Sequence, residues 1–571
     1  MQILREIIEK PLESALADMG VKGDFWKRAL GPSRERDQGD LSLPCFPFAK
    51  QLGRNPVDIA NELAAALSGV LDAEAAGGYL NFKADRDWLA QRVLSGFDTL
   101  GNRSVLIEHT SANPNGPFHV GRARNAILGD TMVRLHRLHG NEVRAEYYVD
   151  DMGKQVGVLA WALQNLSEAD VADALIDLDD MNPKWRGKSD HETVRWYQAA
   201  QALRQDSIDK DAIEDEISRL VHASEHGDDA VLAQFEEAYS PVLDGMLETL
   251  ARLGIEFDTF TKESKFVVDG TVSALMDRFE SMEIHGMADN GAHFLDLGQR
   301  GMKGKTEFFY RRGDGSSLYA TRDIAYHMWK WQQCDELINI LGEDHKLQSK
   351  QVGMTLSELG EKVPEVMFYA FIKLPEGKMS TRKGNVVFMD DLLDEAQAHA
   401  ADIVRELRSD LPEEEVATIA EAVGVSAVRF NIIKVNPDKG FTFSWEEALS
   451  FEGESAPFVM YSHTRACSIN RKVGRAPQNV IPTDIPDAMH ELMRVMACNR
   501  DIIAIAIGEN RPHLFATQML DLATAYNAFY RDCHVILDGT VEEANYAVSE
   551  AARHMLRSGI EALGVIPLES M

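Results

Sequence analysis

The sequence predicts an α/β protein: a Rossmann-type parallel-sheet domain, with an α+β domain before it and an all-α domain after it. Three observations lead there. SVLI at 104–107 reads as a buried strand, and a proline- and glycine-rich turn follows it. Leu128, Met132, Leu135 and Leu138 then recur at helical spacing up to Gly140, and Val143, Ala145, Tyr147 and Val149 alternate as the next strand, completing a βαβ unit. Beyond about residue 400 the apolar spacing stays helical, with neither a Gly-rich phosphate loop nor strand alternation.

Taken in order, residues 1–98 read as a mixed domain. It has an opening amphipathic helix, a turn-rich piece DQGDLSLPCFPFAK, a helix from Pro56 to Leu67 and a strand in GGYLNFKAD. Residues 99–400 form the parallel-sheet domain, interrupted at about 158–305 by an acidic, helix-rich insertion whose packing aromatics are Trp185, Trp196 and Tyr197. In its second half Asp314-Gly315 suggests a hairpin between short strands. The strands ELINIL and VMFYAFI then lead into GEDH at 342–345 and EGKMSTRKGN at 376–385. Ligands of such a sheet lie at the carboxyl ends of its strands, so these two turns and His119 should meet in one crevice. Residues 401–571 make up the helical domain.

Composition narrows the function classes. With 571 residues the chain is too long for a small binding module. Cys45, Cys334, Cys467, Cys498 and Cys533 are scattered without a CxxC pair, so neither a zinc knuckle nor a disulfide framework is indicated, and a reducing cytoplasm fits. The N-terminus carries acids unlike a signal peptide, and no apolar run was expected to approach the ~20 residues that span a bilayer. The net charge of -32 opposes nucleic acid, so an RNA partner would need local basic surface, such as YSHTRACSINRKVGR at 461–475.

The chemistry concentrates in two places. His119-Val120-Gly121-Arg122 opens the helix of the βαβ unit, where free N–H groups and the helix dipole favour phosphate and a glycine admits a flat base. Lys378, Arg382 and Lys383, beside Gly377 and Gly384, suit a loop over a polyphosphate. Together these resemble the HIGH and KMSKS signatures of class I aminoacyl-tRNA synthetases, and over essentially the whole chain the resemblance is to the arginyl-tRNA synthetase family.

That resemblance implies ATP-dependent ligation of L-arginine to tRNA-Arg through an arginyl-adenylate, with magnesium carried by ATP and no dedicated protein metal site. It implies a monomer, and an enzyme that commonly needs tRNA bound before it activates arginine. In IEHTSAN, Glu108, Ser111 and Asn113 would line the arginine pocket; in YATRD, Tyr319 and Asp323 would reach the guanidinium, whose planar fork wants carboxylates. His119, Gly121, His345, Lys378 and Ser380 would hold ATP, with His119, Arg122, Lys378 and Lys383 as the catalytic set and Arg122 and His345 also near arginine. Tyr79 and Asn81 match N-terminal positions that touch tRNA, and Tyr461, Arg465, Arg471 and Met571 belong to the domain similar to the anticodon-binding one.

Two departures mark this chain. Arg122 stands where HIGH ends in histidine, and Thr381 stands at the second lysine of KMSKS. Gly116 occupies the position where some family members carry a compensating lysine, which leaves Lys383 as the substitute. Lys383→Ala is expected to slow adenylate formation by roughly 10-fold or more, and near-normal pyrophosphate exchange in the variant would refute that role. A non-catalytic tRNA-binding or arginine-sensing paralogue would also tolerate Arg122 and Thr381; joint retention of Glu108, His119, Tyr319, Asp323 and Lys378 favours the enzyme.

Overall fold

The structure is a computed structural model that describes residues 2–33, 38–97, 99–175, 183–206, 209–373, 387–478 and 480–571. Lys378, Ser380, Thr381 and Lys383 therefore lie outside the described residues.

Its centre is a parallel sheet of β1 (Ser104–Glu108), β2 (Glu142–Val149), β3 (Thr259–Lys262), β4 (Glu336–Gly342) and β5 (Glu365–Tyr369), ordered β5-β4-β1-β2-β3. All four pairings are parallel. Val105, Leu106 and Ile107 are all buried, as expected for a strand covered on both faces. The chain leaves β1 toward β2 on one side, while β4 and β5 add on the other, so the order reverses between β1 and β4. At that switch point the carboxyl ends open a crevice.

The helix Val120–His139 crosses from β1 to β2 and ends at Gly140, whose φ of 104° suits a residue without Cβ. Between β2 and β3 the chain is helical, and β3 itself falls within the span 158–305. After β3 comes a three-stranded antiparallel sheet of His285–Met287, His293–Asp296 and Glu307–Arg311. The hairpin expected at Asp314-Gly315 is not formed. Its turn exists, with Ser316 N–H donating to Asp314 Oδ1 at 2.9 Å, but only the single bridge Arg311–Ser317 follows it. The helix Tyr319–Trp331 begins two residues later and leaves no room for a returning strand, so Glu307–Arg311 pairs with His293–Asp296 instead.

The N-terminal domain is a four-stranded antiparallel sheet backed by the helices Gln2–Asp18 and Pro56–Leu67. The piece expected to be turns contains the strand Leu41–Pro44 and the helix Phe46–Leu52. Leu41 and Leu43 alternate into the core while Pro44, at the strand's end, and Pro47, in the helix's first turn, sit where a missing N–H costs little. Beyond residue 400 helices dominate, with two-residue ribbons at Ile536–Leu537 and Thr540–Val541 and at Phe441–Thr442, which pairs with Ile372–Lys373. One expectation is corrected here: the helix Glu413–Ile433 is long and apolar enough to cross a membrane by length and composition. Its most apolar window is 83% buried inside the fold, where it serves as a core helix.

One continuous apolar core joins the three segments. Inside it Arg429 is fully buried; it donates to Asp130 at 2.5 Å, to Leu253 O at 2.7 Å and to Leu563 O at 3.1 Å. Asp130 lies on the Val120–His139 helix and also accepts from Arg134 Nε at 2.8 Å. Removing Arg429 would leave buried Asp130 with Arg134 as its one remaining cation and orphan the carbonyls of Leu253 and Leu563. Arg429→Met is expected to destabilise the protein by about 3–5 kcal/mol, measured by urea unfolding followed by tryptophan fluorescence. An unchanged unfolding midpoint would contradict the joint.

Candidate functional site

At the switch point lies a cleft of about 450 Å³. Glu108, Ser111, Asn113, His119, Gly121, Arg122, Tyr319, Asp323 and His345 all line it, so nine positions chosen from three separate stretches converge.

The first wall is the turn after β1. Thr110 and Ser111 have φ of 66° and 38°, left-handed conformations that side chains beyond glycine rarely adopt. Surrounding bonds hold them there: Thr110 N–H donates to Asn125 Oδ1 at 2.6 Å, and Tyr148 N–H donates to Ser111 Oγ at 3.0 Å. The Ser111 hydroxyl in turn donates to Glu108 Oε1 at 3.2 Å, aiming that carboxylate into the cleft. Beneath them His109 packs so closely that a Cβ on Gly129 would fall 2.3 Å from its ring.

His119 sits at the N-terminal end of the Val120–His139 helix, at the positive end of its dipole. Gly121 lets the imidazole fold back over the first turn, since a Cβ there would stand 3.0 Å from Nδ1. Burial, with Arg122 adding to it, pushes the imidazole down to about 4, so it is neutral near pH 7 and keeps one N–H to donate. The backbone at 387–389 is bound to this turn. Val120 N–H donates to Val387 O at 3.0 Å and Met389 N–H to Phe118 O at 2.8 Å, around a His119–Phe388 bridge. The chain leaving EGKMSTRKGN is thus anchored beside His119.

The opposite wall is one face of the Tyr319–Trp331 helix. Tyr319, Asp323, His327 and Lys330 follow one another at helical spacing. Burial alone would raise the Asp323 carboxyl, but His327, with Nδ1 at 3.1 Å, holds it below the usual carboxylate range. Lys330 is completely buried, with Nζ 2.5 Å from Glu108 Oε2, 3.1 Å from Asn339 Oδ1 and 4.1 Å from the Tyr326 ring centre. Asn339 also contacts His327 Nε2 at 2.7 Å, which ties Glu108 and Asp323 into one network. His327, Lys330, Asn339, Tyr148 and Asp150 belong to this site and were missed in the sequence. The i, i+4, i+7 spacing of Asp323, His327 and Lys330 was the available signal.

Among the described residues, one grouping has metal-ligand spacing: Asp190, His191 and Asp390, all buried. Lys188 Nζ already lies among them, 3.0 Å from Asp190 and 2.8 Å from Asp390, and it donates also to Gly245 O and Thr249 Oγ1. An ammonium holds the position that a metal would take.

The positions expected to meet nucleic acid are spread over the terminal domains. Tyr79 is half-buried with its ring edge-on to Phe46 at 5.2 Å; Asn81 is only 3% exposed and accepts from Ser42 Oγ at 2.6 Å. Tyr461 is exposed, and Arg465 lies 4.4 Å over its ring and 5.4 Å from that of exposed Tyr530. Arg471 donates to Glu569 O at 2.7 Å, and Met571 O accepts from Arg408 at 3.0 Å, so the last residues are fastened to the helical domain.

Comparison with known proteins covers the whole chain. Residues 3–84 match the arginyl tRNA synthetase N terminal domain, 86–445 the class I (R) tRNA synthetase catalytic domain, and 459–571 the DALR anticodon binding domain. The chain is 41% identical to the arginine–tRNA ligase of Methanocella arvoryzae over 98% of both chains. It is 36% identical to that of Halorubrum lacusprofundi over 99% of both. The Thermus thermophilus arginyl-tRNA synthetase structure superposes with a TM-score of 0.80 at 26% identity, covering 100% of each chain. The Plasmodium falciparum enzyme, at 16% identity and a TM-score of 0.77 over 99% of this chain and 98% of that one, shares the fold.

Proposed function

From the premise that the chain belongs to the arginyl-tRNA synthetase family, we propose that it joins L-arginine to tRNA-Arg at the expense of ATP, releasing AMP and pyrophosphate. The observation that carries this reading is the cleft itself, in which the carboxylates of Glu108 and Asp323 and the His119 end of a helix line one crevice, an arrangement suited to a cation on one side and phosphate on the other.

In the first step an oxygen of the arginine carboxylate attacks the α-phosphorus, and the bond to pyrophosphate breaks. In the second, a terminal ribose hydroxyl of tRNA attacks the adenylate carbonyl, and AMP leaves. Charge builds on phosphate oxygens, so positioning and electrostatic stabilisation do most of the work. His119 donates to a phosphate oxygen, Gly121 leaves space for the adenine, and Lys378 and Lys383 supply positive charge with Ser380 beside them. Magnesium carried by the ATP phosphates would offset part of their charge. Glu108, Tyr319 and Asp323 take the guanidinium, while Ser111 aims Glu108. Asn113, Arg122 and His345 serve the amino-acid end.

Transfer RNA lies across both terminal domains, at Tyr79, on the strand where buried Asn81 is held by Ser42 and so does not itself reach the RNA, and at Tyr461, Arg465, Arg471 and Met571. The tyrosines offer stacking faces and the arginines charge, in a chain whose overall charge of -32 would otherwise repel it. The enzyme works in the cytoplasm as a monomer.

Arginine-dependent exchange of pyrophosphate into ATP, with and without matching tRNA, tests the reading. Exchange that requires arginine is the expected result, enhanced or enabled by tRNA. Folded protein that binds tRNA but gives no exchange in either condition would overturn it in favour of a non-catalytic relative.

A further inference from the structure

The pairing of charges within the cleft carries one more assignment, which rests on the arginine reading above. Four carboxylates line the cleft: Glu108, Asp150, Asp323 and Asp344. Glu108 is paired with Lys330 at 2.5 Å and Asp323 with His327 at 3.1 Å, while the His345 imidazole stands 3.8 Å from Asp344. Asp150 is the exception. Among the described residues no lysine, arginine or histidine nitrogen forms an ion pair with it, and its oxygens accept only from neutral donors, Gly153 N–H at 3.0 Å and the Asn113 amide at 2.9 Å.

Those two bonds do not account for a charge. Gly153 precedes the helix Lys154–Asn165, and a serine or asparagine oxygen would accept from its N–H as well. A partly buried carboxylate without a cation is costly unless something charged completes it. Its position suits a ligand, because Asp150 follows the last residue of β2 at the carboxyl edge of the sheet and lines the cleft beside Asn113.

The same asparagine also contacts the cleft's unpaired cation. Arg122 Nη1 donates to Asn113 O at 3.2 Å, and among the described residues it has no carboxylate partner. One residue therefore touches an anion through its side chain and a cation through its backbone. An α-amino acid presents an ammonium and a carboxylate on one carbon, which is the complementary pattern.

We propose that Asp150 receives the α-ammonium of the substrate and Arg122 its α-carboxylate, with Asn113 as the spacer between them. The guanidinium is then left to Glu108, Tyr319 and Asp323, so both ends of arginine are read by charge. An analogue without the α-amino group keeps every contact but the one to Asp150.

The test compares binding of L-arginine and of 5-guanidinopentanoate, which has the guanidinium and carboxylate but no α-amino group, by titration calorimetry on the full chain with tRNA present. Asp150→Asn is expected to weaken arginine by roughly 10- to 100-fold, the scale of one hydrogen bond to a charged group, and to leave 5-guanidinopentanoate unchanged. Asp150→Ser keeps an acceptor for Gly153 and should give the same split, which guards against a variant that fails to fold. Equal losses for both compounds would overturn the assignment by putting Asp150 at the guanidinium; no loss for either would overturn it outright. Wild-type protein that binds neither compound would overturn the arginine reading, and the assignment with it.

Discussion

Asp323→Asn is expected to lower kcat/KM for arginine by about 100- to 1,000-fold while leaving KM for ATP near its starting value. The change is nearly isosteric, so the fold pays little for it. What is lost is the negative charge that His327 holds below the usual carboxylate range and that stands on the same helix face as Tyr319. Losing one charge-assisted partner of a guanidinium in a desolvated site costs roughly 3–4 kcal/mol, which is the fold-change above. Steady-state kinetics of pyrophosphate exchange at varied arginine and at varied ATP would separate the cases. A variant equally impaired toward both substrates would mean that Asp323 supports the cleft rather than reading arginine.

His119→Ala is expected to slow adenylate formation by about 100- to 1,000-fold, with arginine binding little affected. The imidazole contributes one preorganised N–H at a helix N-terminus, and such donors are worth most where charge develops. Since burial pushes its titration down to about 4, the wild-type rate should show no step from this group between pH 5 and 8. Single-turnover measurements of adenylate formation across that range check both statements. A step near pH 6.5 that disappears in the variant would contradict the neutral assignment.

The sequence was most legible where chemistry is local. Glu108, Ser111 and Asn113 lie within six residues, and Tyr319 and Asp323 one helical turn apart, so their spacing alone brought each group to one wall of the cleft. The second layer was less legible. Lys330 could have been a solvated lysine, because helical periodicity says which residues share a face but not whether water or a pocket lies opposite. Asp150 was hidden for a related reason: the alternation of Val143 through Val149 marks the strand, and nothing in it tells which following polar side chain turns into the crevice. The failed hairpin at Asp314-Gly315 adds that turn residues fix a reversal but not the partner of the strand they end.

The Arg429–Asp130 joint bears on how this protein can change over evolution. Domains that meet through a wet, polar surface can be exchanged, duplicated or lost singly. Here Asp130 and Arg429 both fall in the stretch matched by the catalytic domain, 86–445, and the same guanidinium donates to the carbonyl of Leu563 in the stretch matched by the anticodon binding domain, 459–571. Without the 459–571 stretch the buried guanidinium would lose one of its acceptors, so that stretch is not a detachable cassette. Recombination between relatives would preserve this interior only where Asp130, Arg429 and the segment after the last helix are inherited together, and a gene shortened before that helix would encode a chain whose buried guanidinium lacks one of its three acceptors.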